Sequence, residues 1–226
     1  MSEAASTVVT ARFRFSRKGP VRYLGHLDML RYFQKIVCKS GIPAKYSEGF
    51  HPHQLMSFAY PLAVGMETEG DYMDLVLKEP VPEEELASAM NSMMHEGVGV
   101  SRVSLLKEGA DNAMALVEAA DYRLRIRADR KDAEDALKKL LSGQELLNEK
   151  GKDIRPGIMD ACCEEDGIFL RLKSGSRGNV RPADVYLHLR SFMPALPEIP
   201  DILRLEIYGE EEGKLRPLIE MGRVNA

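Results

Sequence analysis

The amino-acid sequence predicts an α+β fold in which two tandem ferredoxin-like (βαββαβ) units with antiparallel sheets follow one another. Three observations carry that expectation. Short segments alternate apolar and charged residues with the period of a half-buried strand. Between them lie segments of helical spacing, several closed by a glycine. The order strand, helix, two strands, helix, strand is met twice along the 226 residues.

In the first unit, "VVTARFRFSR" sets Phe13 and Phe15 on one face and Arg12 and Arg14 on the other. "HLDMLRYFQKIVCKSG" reads as a helix: Leu27, Leu30, Phe33 or Gln34, and Val37 recur apolar, and Asp28, Arg31, Lys35 and Lys39 form a polar stripe. Gly41 stands where a left-handed cap belongs, with Pro43 just beyond. "LMSFAYPL" and "DYMDLVLK" are expected as two strands joined through "AVGMETEG". "EEELASAMNSMMHEG" is a helix with acids in its first turn, and "VGVSRVSLL" the closing strand.

The second unit opens on "DYRLRIRA", where Tyr122, Leu124 and Ile126 alternate with Arg123, Arg125 and Arg127. "KDAEDALKKLLSG" is an amphipathic helix, and the stretch from Leu147 to Lys173 is hairpin material turning at Asp166-Gly167. "RPADVYLHLRSF" is a helix with Pro182 near its first position, and "ILRLEIY" a last strand. The expected organisation is one unit over 1–107, a connector over 108–120, a second unit over 121–209 and a polar tail over 210–226.

Composition limits the function classes. The chain is 44% hydrophobic and 29% charged, ordinary values for a globular protein with a core. No apolar run approaches the roughly 20 residues that span a bilayer, and the first ten residues lack the pattern of a signal peptide. Cys38, Cys162 and Cys163 are an odd number without a C-x-x-C, which points to a reducing cytoplasm and away from a structural zinc or iron–sulfur site of its own. Residues 1–50 carry nine Lys/Arg against three acids, a local +6 that leaves −10 for the rest of a chain of net charge −4. Such an end suits a polyanion, or acids elsewhere in the fold or on a partner protein.

Three constellations hold candidate chemistry. In "RYLGHLDMLRYFQK", His26 and Asp28 open a helix whose free N–H groups can hold an anion, with Arg31 and Lys35 on the same stripe; the structural alternative is Asp28 meeting the helix dipole and pairing Arg31. "KYSEGFHPHQ" interleaves Lys45, Tyr46, Phe50, His51 and His53 around a Ser47-Glu48-Gly49 turn, a pattern suited to single-stranded nucleic acid. His26, His51 and His53 with Asp28 also have the donor types of a metal site, and His26, Tyr46 and His53 those of an acid–base centre. The shortness of His-x-His and the lack of a nearby Cys favour a binding loop. In "KDIRPGI", Pro156 is expected to hold Arg155 extended and displayed for phosphate or carboxylate. "SGSRGNVRP" is a flexible loop with two arginines and the look of a phosphate cradle.

Residues 12–77, from "RFRFSRKGPVRYLGHLDMLRYFQK" to "GIPAKYSEGFHPHQLMSFAYPLAVGMETEGDYMDLVL", closely resemble the radical-SAM-linked protein family of bacteria, and "KDIRPGI" resembles its second-half signature. Gly25, His26, Asp28, Arg31, Pro43, Ser47, Gly49, Phe50, Pro52, Ser57, Gly65 and Asp74 stand at motif positions. His51 departs from a frequent Asn, which weakens a metal or catalytic role for it. The resemblance implies a non-catalytic accessory module that presents a substrate to a radical SAM enzyme, and the basic first half and the anion-suited helix start make RNA the candidate substrate. That partner would carry the iron–sulfur cluster, S-adenosylmethionine and cobalamin, since this chain has no C-x-x-x-C-x-x-C. A metal-independent endoribonuclease using His26, Tyr46 and His53, and a purely structural interaction protein, are the alternatives. The expected binding set is His26, Asp28, Arg31, Lys35, Lys45, Ser47, Gly49, Phe50, His53 and Arg155.

Overall fold

Alternation along β1 (Val9–Arg17) buries Phe13 and Phe15 on one face, as the period-two pattern predicts. Arg12 on the opposite face is equally buried, for a reason that lies far away in the chain. This computed structural model describes residues 8–224; residues 1–7, within the stretch read for a leader, and 225–226, the end of the expected tail, lie outside the described residues.

After a 3-10 turn at Gly19–Tyr23, α1 (His26–Ser40) starts at Gly25 and stops at Gly41, which takes φ 74. Its buried face is Met29, Phe33, Ile36 and Val37. Leu27, expected inside, is exposed: the apolar stripe begins two residues later. β2 (Met56–Phe58) is only three residues long, and β3 (Glu67–Leu77) eleven, so the two expected strands are unequal and a loop over 59–66 replaces their hairpin. α2 (Glu83–Met93) places Glu83, Glu84 and Glu85 in its first turn, where the helix dipole favours them, and β4 (Val98–Leu105) follows.

The connector contains α3 (Ala113–Leu116), capped by Asn112, and ends where β5 (Ala119–Arg125) begins. α4 (Arg130–Ser142) is capped by Asp129, whose side chain accepts from Lys131 N. β6 (Ile158–Glu164) and β7 (Gly167–Lys173) form a hairpin whose loop residues are Glu165 and Asp166, one position before the expected turn. α5 (Pro182–Phe192) and β8 (Asp201–Glu211) complete the second half.

Where two antiparallel sheets were expected, one sheet forms, in the order β4-β1-β3-β8-β5-β7-β6. Every neighbouring pair is antiparallel except β3 and β8, which run parallel through Glu67↔Leu203 and Thr68↔Arg204. The shortness of β2 explains the fusion. It covers β3 only at Met73–Leu75, leaving the 67–68 end of that edge free for β8. Gly70 permits the approach, since a Cβ there would stand 2.4 Å from Leu205 O.

Four of the helices share one face, and the short α3 lies on the other, with Ala113 N donating to Asp74. α1 and α2 pack on the side of Phe13, Phe15, Met73 and Leu75, and α4 and α5 on the side of Tyr122 and Leu124. Asp71, in phase with Met73, is ion-paired at 2.6 Å with Arg204, which stands opposite Tyr122, so the two apolar sides are continuous.

The polar tail expected over 210–226 is corrected. β9 (Lys214–Pro217) pairs with β8, and a following 3-10 turn, Leu218–Glu220, buries Leu218, Ile219 and, just after it, Met221. Apolar Leu218, Ile219 and Met221 inside a charged stretch are reason enough for it to fold back. Arg12 is satisfied here: Nε and Nη2 donate to Asp74 at 2.8 and 2.9 Å, Nη1 to Leu218 O and Nη2 to Asp111 O. Asp74 Oδ2 also accepts from Ala113 N at 2.7 Å. One buried ion pair therefore clips connector and C-terminal turn to the first half. No helix among the described residues is long and apolar enough to cross a membrane.

Candidate functional site

The histidine-bearing stretch is an ordered excursion between α1 and β2. Its base is a short ladder: Lys45 N donates to Val76 O, Leu55 N to Lys45 O, and Ser47 N to His53 O at 2.8 Å. Ser47 Oγ accepts from His53 N at 3.1 Å and lies 2.9 Å from His53 Nδ1. Gln54, buried, reaches from Tyr46 OH to the main-chain oxygen of Gln34 on α1, which docks the loop on that helix. Gly49 takes φ 108 at the turn, and next to it Phe50 is fully exposed. Single exposed apolar side chains are ordinary on a protein surface, and what sets this ring apart is its place on a loop docked to α1.

At the other end of the same helix, His26 packs its ring edge-on to Phe58, with centroids 5.6 Å apart. Asp28 and Arg31 are exposed and pair loosely at 3.4 Å. Lys35 and Lys39, also exposed, continue the stripe.

His26 and His53 do not converge. Gln54 docks at Gln34, eight residues or about 12 Å along the helix from His26. Phe58, which touches His26, is five residues along the chain from His53. The acid–base set of His26, Tyr46 and His53 is thus not gathered at one centre. Among the described residues no three His, Cys, Asp or Glu side chains are placed to hold a metal ion, which leaves His26, His51 and His53 without a shared site.

The expected display of Arg155 is corrected. Ile154 adopts φ −100 and ψ −8, so a 3-10 turn over Arg155–Gly157 replaces the extended chain. Asp153 Oδ1 accepts from both Leu146 N and Arg155 N, and this local cap outweighs the bias that Pro156 imposes. The guanidinium turns inward, with Nε and Nη2 donating to Leu141 O at 3.2 and 2.9 Å. The segment does meet "SGSRGNVRP": Lys152, Pro156, Lys173, Arg177 and Gly178 line a common hollow of about 210 Å³. Arg177 is ion-paired there with Glu118.

A family model described as uncharacterized protein conserved in bacteria (DUF2344) matches residues 11–182. The chain belongs to that family. No curated protein matches it. In this DUF2344 chain the match runs from β1 to the first residue of α5, and so takes in the motif loop, the start of α1 and the Arg155 turn.

One site escaped the sequence reading. Between the two helix pairs the sheet floor carries Arg17, Asp71 and Arg204, only 3%, 5% and 1% exposed. Arg204 Nη2 donates to Asp71 Oδ2 and to Tyr60 O, while Arg17 donates to the carbonyls of Leu24, Ala63 and Met66. The Nε atoms of both arginines are buried without a hydrogen-bond partner. Burial pulls the Arg17 pKa down; at Arg204 burial acts the same way, but Asp71 and Tyr122 outweigh it. Tyr60 is pushed up to about 12 by burial and by Tyr122, so both phenols are neutral near pH 7. Of the three charged groups only Arg204 reaches the wall of a cavity of about 470 Å³ that opens between Pro61–Ala63 on one side and Pro182–Ala183 on the other. A signal existed: Arg17 continues the apolar phase of Phe13 and Phe15, and Asp71 that of Met73 and Leu75.

Proposed function

We propose that this chain is a non-catalytic module of the cytoplasm that carries an RNA substrate to a partner radical SAM enzyme. In this reading the iron–sulfur cluster, S-adenosylmethionine and cobalamin belong to the partner. We read the two halves as ferredoxin-like units, a reading supported by the orders β4-β1-β3, with β2 on β3, and β8-β5-β7-β6. The observation that carries the proposal is the fully exposed ring of Phe50 on a loop docked to α1, the helix that carries Arg31, Lys35 and Lys39. An exposed ring stacks on a base, and flanking cations meet phosphates.

The structure also narrows the electrostatic contribution. Within residues 1–50, Arg12, Arg14, Lys18 and Arg22 are ion-paired to acids elsewhere in the fold and Arg31 only to its neighbour Asp28, so the α1 stripe together with Lys45 is the basic surface of this segment. Three phosphate contacts from that stripe correspond to a slope of log affinity against log salt of about −2 for single strands. Fluorescence anisotropy with a random single-stranded RNA pool tests this. The expected result is that slope, with Phe50→Ala weakening binding by about 1–3 kcal/mol while the folded state is unaffected. Absence of salt-sensitive affinity, or binding indifferent to both Phe50→Ala and Lys35→Ala, rejects the RNA reading. Nuclease-resistant co-purification with a radical SAM enzyme in that case leaves an interaction module instead.

A further inference from the structure

The geometry points to a second, separate site: the hollow where the Arg155 turn meets the loop over 174–181 binds a terminal phosphate group, a monoester rather than a diester. About 210 Å³ in volume, it gathers three cations, Lys152, Lys173 and Arg177, against one acid, Asp153. Arg177 is answered by Glu118. Asp153 is committed to the turn, where its Oδ1 accepts from Leu146 N and Arg155 N, and Arg155 lies close enough to favour its charged form. Lys152, Arg155, Lys173 and Arg177 against Asp153 and Glu118 leave two positive charges in excess. They sit on Lys152 and Lys173, since among the described residues neither ammonium has a carboxylate partner. Like charges on one concave wall repel, and an anion between them relieves that cost.

Two glycines shape the hollow. A Cβ on Gly157 would stand 2.4 Å from Val180 Cγ2, so glycine lets the 3-10 turn close on the loop. A Cβ on Gly178 would stand 2.9 and 3.1 Å from Lys173 Cδ and Cε, so its absence lets the Lys173 stem lie along the loop. Val180 N donates to Lys173 O at 2.9 Å and Tyr60 OH to Asn179 Oδ1 at 2.6 Å, which pins the loop on both sides and leaves the Asn179 amide nitrogen as a further donor. The chemical class follows from charge and size. A phosphate monoester carries nearly two charges and matches an excess of two, whereas a diester or a carboxylate carries one. Lysines serve phosphate as point charges. The hollow is smaller than the roughly 300–1,000 Å³ of pockets that enclose a whole ligand, so the phosphate head enters and its body stays outside.

Two sources present such a group, a small phosphorylated molecule and the phosphorylated end of an RNA strand; only the second rests on the RNA reading. The test uses the full chain at low salt and about pH 8, where the monoester is a dianion, with methyl phosphate and dimethyl phosphate as probes followed by phosphorus NMR. Methyl phosphate is expected to bind saturably in the millimolar range or better, and dimethyl phosphate at least tenfold more weakly. Lys152→Gln with Lys173→Met removes both unpaired charges from exposed positions and is expected to weaken methyl phosphate at least tenfold, while Lys35→Ala on α1 leaves it unchanged. Equal binding of the two probes, no saturable binding, an unaffected double variant, or an equal loss in Lys35→Ala would each overturn the assignment. The source is read in the Phe50→Ala background with a pentauridylate bearing a 5′-phosphate. Binding tighter than that of methyl phosphate, and lost in the lysine double variant, supports the site with an RNA end as its ligand; binding no tighter supports it with a small molecule. Phe50→Ala should leave methyl phosphate binding unchanged, so this site and the RNA surface fail or stand independently.

Discussion

Arg12 illustrates how little a residue's type says about its place. In the sequence it is one of two arginines alternating with phenylalanines on the first strand, on the face opposite Phe13 and Phe15. In the fold it is fully buried, because Asp74, 62 residues away, supplies a bidentate carboxylate, and Leu218 and Asp111 supply carbonyls. Removing one partner of such a pair leaves an uncompensated buried charge. Asp74→Ala is therefore expected to destabilise the protein by about 3–5 kcal/mol in urea denaturation. The double variant Arg12→Met with Asp74→Leu should recover more than half of that loss, because volume is kept and no charge is stranded. A double variant as unstable as the single one would show that the carbonyl contacts, not the charge, hold the site. At the same scale, the sequence made the Ser47, Gly49, Phe50 and His53 loop legible, since turn chemistry is local. It gave no sign that His26 and His53 are kept apart, because that distance is set by where Gln54 docks.

At the scale of elements, helices were the more legible part. Their caps and periods lie within a few residues, and α1, α2, α4 and α5 fall on the segments expected for them, with Gly41 closing α1 and Pro182 opening α5 as the sequence predicts. Strands depended on partners. β1 pairs along nearly all of β3, while the other edge of β3 changes partner from the short β2 to β8. Gly70 marks the join and offers a test. Its Cβ in Gly70→Ala would meet Leu205 O at 2.4 Å and Glu206 Cα at 3.1 Å, and backbone cannot yield cheaply. The expected cost is about 1–3 kcal/mol, with faster amide exchange concentrated at residues 203–206. Gly99→Ala in β4 meets only ordinary contacts at 3.8 and 3.9 Å and should fall within about 0.5 kcal/mol of the parent. Equal effects of the two substitutions would remove the close β3–β8 approach as the cause.

For the molecule as a whole, the basic first fifty residues turn out to be an internal adhesive as much as a surface. Arg14 pairs with Glu206, and Arg22 with Asp201 and Glu67; Glu67 in turn takes Arg125 from the second half. Burial alone would raise the Glu67 pKa, but hydrogen bonds from Gly19 N and Arg125, with Arg22 nearby, bring it below 4.5. A carboxylate held lower in the folded than in the unfolded state contributes stability that is present above 4.5 and lost as the pH falls through the depressed value. Denaturation of the parent and Glu67→Gln as a function of pH should show a stability gap above 4.5 that closes on further acidification. A gap that widens on acidification would contradict the sign of the shift.

What the sequence by itself determined is local: which segments are helix or strand, where they are capped, that Phe50 sits in a polar turn, and which family the first half resembles. Periodicity and capping act over a few residues, so one chain displays them in full. Only the tertiary structure decided that two expected sheets are one, that Leu218, Ile219 and Met221 form a buried clasp, that Arg155 turns inward, and that Arg17, Asp71 and Arg204 are buried together. Apart from Arg155, whose turn is held by Asp153 and Leu141 nearby, those outcomes depend on strand edges and buried charges finding partners 133 or 206 residues away, and a pairing at such a separation leaves no period along the chain to be read.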